Sequence, residues 1–100
     1  MKEDVFNQYV QKITKLFGVT KEELFSKTRK RNIVDARQLL YYLCFNRQMQ
    51  IVIIKDFMLH NGYKIDYPSV VNGIQKVDQK IKEDRDYKVV VRDIDESVFI

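Results

Sequence analysis

One hundred residues, 45% hydrophobic and 32% charged, make one domain with room for a single core, too small for a catalytic and a recognition domain side by side. The single cysteine, Cys44, excludes an intramolecular disulfide and a cysteine-built zinc site. The charged start Met1-Lys-Glu-Asp is unlike a signal peptide, and no run approaches the ~20 apolar residues of a membrane span, which predicts a cytoplasmic chain. The net charge of +4 hides an asymmetry: residues 78–96 hold seven acids and five bases, so the rest carries +6, a field that favours polyanions.

In chain order, Val5, Phe6, Tyr9, Val10, Ile13, Leu16 and Phe17 recur at the spacing of one helical face, which predicts a helix over about 3–17, stopped at Gly18. Thr20-Lys-Glu-Glu23 has the form of a capping box and predicts a short helix to about Ser26, burying Leu24 and Phe25. Lys27, Arg29, Lys30 and Arg31 then follow with no acid among them, and Arg37 adds a charge beyond. Such a run suits a solvated surface as well as a phosphate-gripping loop. Asp35-Ala-Arg-Gln38 offers a second capping box, predicting a third helix over about Ala36 to Phe45, apolar nearly all round and therefore central, with Cys44 in the core. The basic segment becomes a short tether between helices, too short to wander as a disordered arm.

Ile51-Val-Ile-Ile54 favours a strand by propensity. The apolar run continues past strand length, however, and Asn61-Gly62 supplies a left-handed stop, so a helix to about Leu59 is expected. A turn over His60–Ile65 leads to a fifth helix, from Tyr67 or Pro68 to about Asp84, with Asp66 as N-cap. Val70, Ile74, Val77 and Ile81 share its inner face, whereas Ser69, Asn72, Lys76 and Lys80 face solvent. Gly73, costly by ~1 kcal/mol in mid-helix, predicts close approach of another helix. The last stretch, Tyr87 to Ile94, suits a short helix or a strand, and Asp95 to Ile100 are expected to fray.

Nothing here predicts an enzyme. The lone His60 lies in a turn, the three glycines are too dispersed for a phosphate-cradling loop, the paired acids fall on surfaces, and no metal-ligand spacing occurs. Neither a cofactor nor a small-molecule substrate is expected. With five helical faces accounting for the apolar positions and no heptad seam, the chain is expected to be monomeric.

The phrase Val19-Thr-Lys-Glu-Glu-Leu-Phe-Ser-Lys27, the basic loop and the Arg37-Gln38 helix start resemble the C-terminal DNA-binding domain of the bacterial replication initiator DnaA. The resemblance spans about residues 5–94. It implies a small all-α domain of Trp-repressor-like kind, with a helix-turn-helix, that binds double-stranded DNA in replication initiation or its regulation. The setting would be the bacterial nucleoid, or the host cytoplasm for a phage-encoded accessory factor. By position it implies that Arg29, then Arg31, enters the minor groove among Lys27 and Lys30, that Arg37 and Lys76 approach phosphates, and that Asp66, Tyr67, Pro68 and Ser69 face the major groove; solvent-facing Asn72 is expected to contact DNA as well. Asp66-Tyr-Pro-Ser-Val70 stands where the family reads Asp-His-Thr-Thr-Val, and the preceding turn is about three residues longer. The alternative is a protein-interaction module of the same fold, docking on a replication protein through exposed Tyr63, Tyr67 and Tyr87.

Overall fold

The computed structural model describes residues 2–98, and the helix from Arg31 to Asn46, α3, is the one around which the others pack. Before it come α1 (Lys2–Phe17) and the single turn α2 (Lys21–Leu24); after it come α4 (Ile51–His60), α5 (Tyr67–Glu83) and α6 (Arg85–Glu96). The described residues contain no strand, so the domain is all-helical as expected, and the valine-rich tail is a helix. No described helix is long and apolar enough to cross a membrane.

α1 and α5 flank α3. Val5, Phe6, Tyr9, Val10 and Ile13 of α1 are buried with Leu39, Leu40, Leu43 and Cys44 of α3, together with Ile54, Met58, Val70 and Val77. Each such large apolar side chain contributes roughly 1.5–3 kcal/mol on leaving water. Phe6 also stacks on Phe25 at 6.4 Å and meets Phe57 at 5.2 Å, joining α2 and α4 to the same core. Leu16, expected on the inner face of α1, is instead 48% exposed, one turn beyond the last buried contact at Ile13.

Local chemistry sets the helix ends. The Thr20 capping box is complete: the Thr20 hydroxyl accepts from the Glu23 amide at 3.0 Å, and the Thr20 amide donates to the Glu23 carboxylate at 2.9 Å. Asp66 caps α5 by accepting from the Ser69 amide at 2.9 Å, and Asp84 ends α5 and caps α6 through the Tyr87 amide at 3.1 Å. Three helices close in the same way, with the amide two residues past the cap bonded back five positions: Val19 to Thr14, Met49 to Cys44 and Tyr63 to Met58. The left-handed residue each closure needs is Gly18 (φ 65°), Gln48 (φ 70°) and Gly62 (φ 91°) respectively. The sequence marked the two glycines and gave no sign of Gln48.

Asp35 is not an N-cap. α3 begins at Arg31, earlier than expected, with Lys30 as an N-cap that makes no side-chain bond, and Asp35 lies inside the helix. Burial of Ile33, seven positions before Leu40 on the same face, favours the added turn over the cap signature.

Residues 95–98, expected to fray, are tied down. The Tyr9 hydroxyl donates to the Asp95 carboxylate at 2.6 Å, and Arg47 donates to the Asp95 and Val98 carbonyls at 3.0 and 2.7 Å. Phe99 and Ile100 lie outside the described residues.

Gly73 permits the close approach predicted for it. A Cβ there would lie 3.0 Å from the Tyr41 ring and 3.1 Å from Gln38 Cγ, and Tyr41 is buried and cannot swing away. Gly73→Val is therefore expected to destabilise by about 2 kcal/mol through overpacking, lowering the melting temperature by roughly 10 °C. Calorimetry finding an unchanged midpoint would show that α3 and α5 are free to separate. Gln48→Gly should act in the opposite direction, raising stability by roughly 0.5–1 kcal/mol as the left-handed strain is relieved. A urea midpoint equal to or below that of the parent would contradict this.

Candidate nucleic-acid interface

The segment between α2 and α3, residues 25–30, is joined by backbone bonds to the helices at its two ends only, through Phe25 and Ser26 to α2 and through the Lys30 carbonyl to α3, and one side chain from α3 spans its middle. Arg37 is 4% exposed. Its Nε donates to the Leu24 carbonyl at 2.7 Å, one terminal nitrogen to the Thr28 carbonyl at 3.0 Å and the other to the Ser26 carbonyl. The carbon of the same guanidinium lies over the ring of Tyr63, in the turn between α4 and α5, 4.5 Å from the ring centre. Arg37, expected to approach phosphates, is thus the internal strut of the loop, with its hydrogen-bonding edge committed to carbonyls.

This strut brings two parts of the chain around an open groove of about 1050 Å³. One wall is the loop and the start of α3, with Lys27, Arg29, Arg31, Asp35 and Gln38. The other is the α4–α5 turn and the outer face of α5, with Lys64, Ile65, Ser69, Asn72, Lys76, Lys80 and Glu83. Tyr41 and Tyr63 lie between them. Seven cations, counting Arg37, face two acids, Asp35 and Glu83. The predicted residues Lys27, Arg29, Arg31, Arg37, Ser69, Asn72 and Lys76 are therefore gathered in one place. Lys30, Asp66 and Tyr67 are exposed at its margins and do not line it.

Ser69, Asn72 and Lys76 share a side of α5 because they recur at three and four, and the inner side is held to the core by Val70, Gly73 and Val77. Lys80 continues that row by one turn. It was legible as solvent-facing but was not assigned to the site; it is half-buried, with its ammonium 5.1 Å from the Tyr87 ring. Lys64 carried no sequence signal beyond its place in the turn between α4 and α5.

Asp66 is the capping anion of α5. Its carboxyl is held below the usual range by hydrogen bonding to the Ser69 side chain and then to the Ser69 amide. It stays ionised at the helix end where a phosphate would otherwise be drawn. Of the three tyrosines expected to be exposed, only Tyr67 is, at 50%; Tyr63 and Tyr87 are half-buried, and burial pushes the Tyr87 hydroxyl up to about 12.

The family model described as "Bacterial dnaA protein helix-turn-helix" matches residues 7–60, from within α1 to the last residue of α4. The chain is similar to the chromosomal replication initiator protein DnaA of Nautilia profundicola, at 29% identity over 93 residues, covering 91% of this chain and 20% of that protein. It is similar to the protein of the same name from Pelobacter propionicus, at 30% over 94 residues, covering 93% and 20%. With that of Flavobacterium psychrophilum the figures are 30% over 99 residues, 98% and 20%. The chain thus spans about a fifth of the length of these curated relatives. No solved structure gives a significant match. With its described residues folded as six helices and no strand, and more than half of its sequence matched, the chain belongs to the bacterial DnaA helix-turn-helix family.

Proposed function

We propose that this chain binds double-stranded DNA through the groove between its basic loop and α5, as a monomer, in replication initiation or its control. It would act in the bacterial nucleoid, or in the host cytoplasm if phage-encoded. The observation that carries this reading is that cations from two separate parts of the sequence line one groove beside the polar row Ser69 and Asn72. Duplex DNA demands that combination, since phosphate contacts position a protein and base-edge contacts specify the sequence. Arg29 and Arg31 enter the minor groove, the start of α5 meets the major groove, and Lys27, Lys30, Lys64, Lys76 and Lys80 neutralise phosphates. α3 adds a first turn with no acid and no side-chain cap, beside Arg31. Arg37 and Asp66 serve as strut and cap.

If about five phosphates are neutralised, log affinity for random duplex falls with log salt at a slope of roughly −4.5. Changing Lys64 and Lys80 to alanine is expected to flatten that slope by about 1 to 2. An electrophoretic titration against duplex, single strand and RNA measures this. A slope near zero, or no duplex binding at low salt, would replace DNA by a protein partner such as a replication protein.

Specificity is expected to differ from that of the family. Tyr67 and Pro68 stand where the family signature has a histidine and a threonine, and Pro68 offers neither hydroxyl nor amide. A good bidentate base contact is worth ~1–3 kcal/mol, so losing one or two lowers preference for the initiator's box by about one to a few powers of ten. Competition between the box and scrambled duplex of equal composition tests this; a hundredfold preference for the box would mean that these substitutions leave reading intact.

A further inference from the structure

Resting on the DNA-binding reading, we infer that Arg37 and Tyr63 are positioning residues that lock the basic loop and the α4–α5 turn into one reading unit. The partner is then a duplex that presents a narrow minor groove and a readable major-groove edge at one fixed offset.

The argument starts from the shape of the guanidinium. Its donors lie on its edge and its faces remain free, so one group can hydrogen-bond a loop and stack on a ring at the same time, which an ammonium cannot do. Arg37 does both: its nitrogens hold the carbonyls of Leu24, Ser26 and Thr28, and its guanidinium carbon lies over the Tyr63 ring, 4.5 Å from the ring centre. Tyr63 is itself fixed, because its amide closes α4 on the Met58 carbonyl at 3.0 Å after the left-handed Gly62. At its ends the loop is held by backbone bonds to α2 and α3 and by Phe25 buried on Phe6. Between them its other bonds are short-range, from the Ser26 hydroxyl to the Glu23 carbonyl at 2.7 Å, and from the Thr28 and Lys30 amides to hydroxyls at 3.4 and 3.3 Å. The cations that enter one groove of a duplex and the turn that leads into the helix facing the other therefore share one buried group, in addition to the packing of α5 on α3. An inserted base pair moves one half of a site by about 3.4 Å and about 35°, more than such a unit can absorb without breaking contacts on one side.

The test uses Tyr63→Leu, which removes the ring but keeps an apolar side chain, and Tyr63→Phe, which keeps the ring. Arg37 is left intact, because replacing a buried cation can unfold the domain. In the free protein, amide exchange over residues 26–30 is expected to accelerate several-fold in Tyr63→Leu relative to α1, and to match the parent in Tyr63→Phe. In binding, the best site selected from random duplex is compared with the same site carrying one base pair inserted between its A·T-rich half and its other half. The parent and Tyr63→Phe are expected to lose roughly tenfold or more on insertion, and Tyr63→Leu roughly threefold or less, with the salt slope of all three unchanged.

Unchanged exchange in Tyr63→Leu overturns the coupling, as does an equal insertion penalty in parent and variant, or a Tyr63→Phe as loose as Tyr63→Leu. If the parent selects no site from duplex at all, the DNA reading fails, and the exchange measurement alone decides whether loop and turn are coupled.

Discussion

The buried guanidinium of Arg37 is the constraint on which the site depends. Taking a cation out of water costs several kcal/mol unless its donors and its charge are met. Here three carbonyls and an aromatic face meet them, and none of these partners is an acid. The domain thus retains an uncancelled positive charge just behind a groove already rich in cations. A carboxylate partner would have held the loop equally well and removed the field that a polyanion feels. Arg47, ten residues on at the C-terminal cap of α3, does include an acid among its partners: its guanidinium lies 3.6 Å from the Asp95 carboxylate, in the part of the chain that carries net negative charge.

Most of the fold was legible because helix periodicity and end signals agree in this chain. The Thr20 and Asp66 caps, the stops at Gly18 and Gly62, and the inner face of α5 all follow from spacing. The start of α3 did not, since a cap-like Asp35-Ala-Arg-Gln38 competed with the burial of Ile33, and tertiary packing prevailed. Gln48 in a left-handed conformation was equally hidden. Nothing in a glutamine announces it, and the closure of α3 onto Met49 imposes it.

For the site, charge and spacing named most of the residues that share the groove but could not separate cations that face outward from one that faces inward. Arg37 and Arg29 look alike in a basic run. Only the path of the chain shows that the first is surrounded by carbonyls and the second is exposed. The family-model match ends at residue 60, with α4, whereas the similarity to the replication initiators of Nautilia profundicola and Flavobacterium psychrophilum covers 91% and 98% of the chain.

Gly73 and Tyr41 have a consequence for how the groove can evolve. The ring of one occupies the space that a side chain on the other would need, at 3.0 Å from the missing Cβ. Enlarging residue 73 alone produces a clash, and shrinking residue 41 alone leaves a void, so each single step is unfavourable although the two together can compensate. Such sign epistasis resists gradual drift at the contact between α3 and α5. The separation of the groove walls is thereby insulated from mutation, while exposed Ser69, Asn72 and Lys76 above it remain free to vary one at a time.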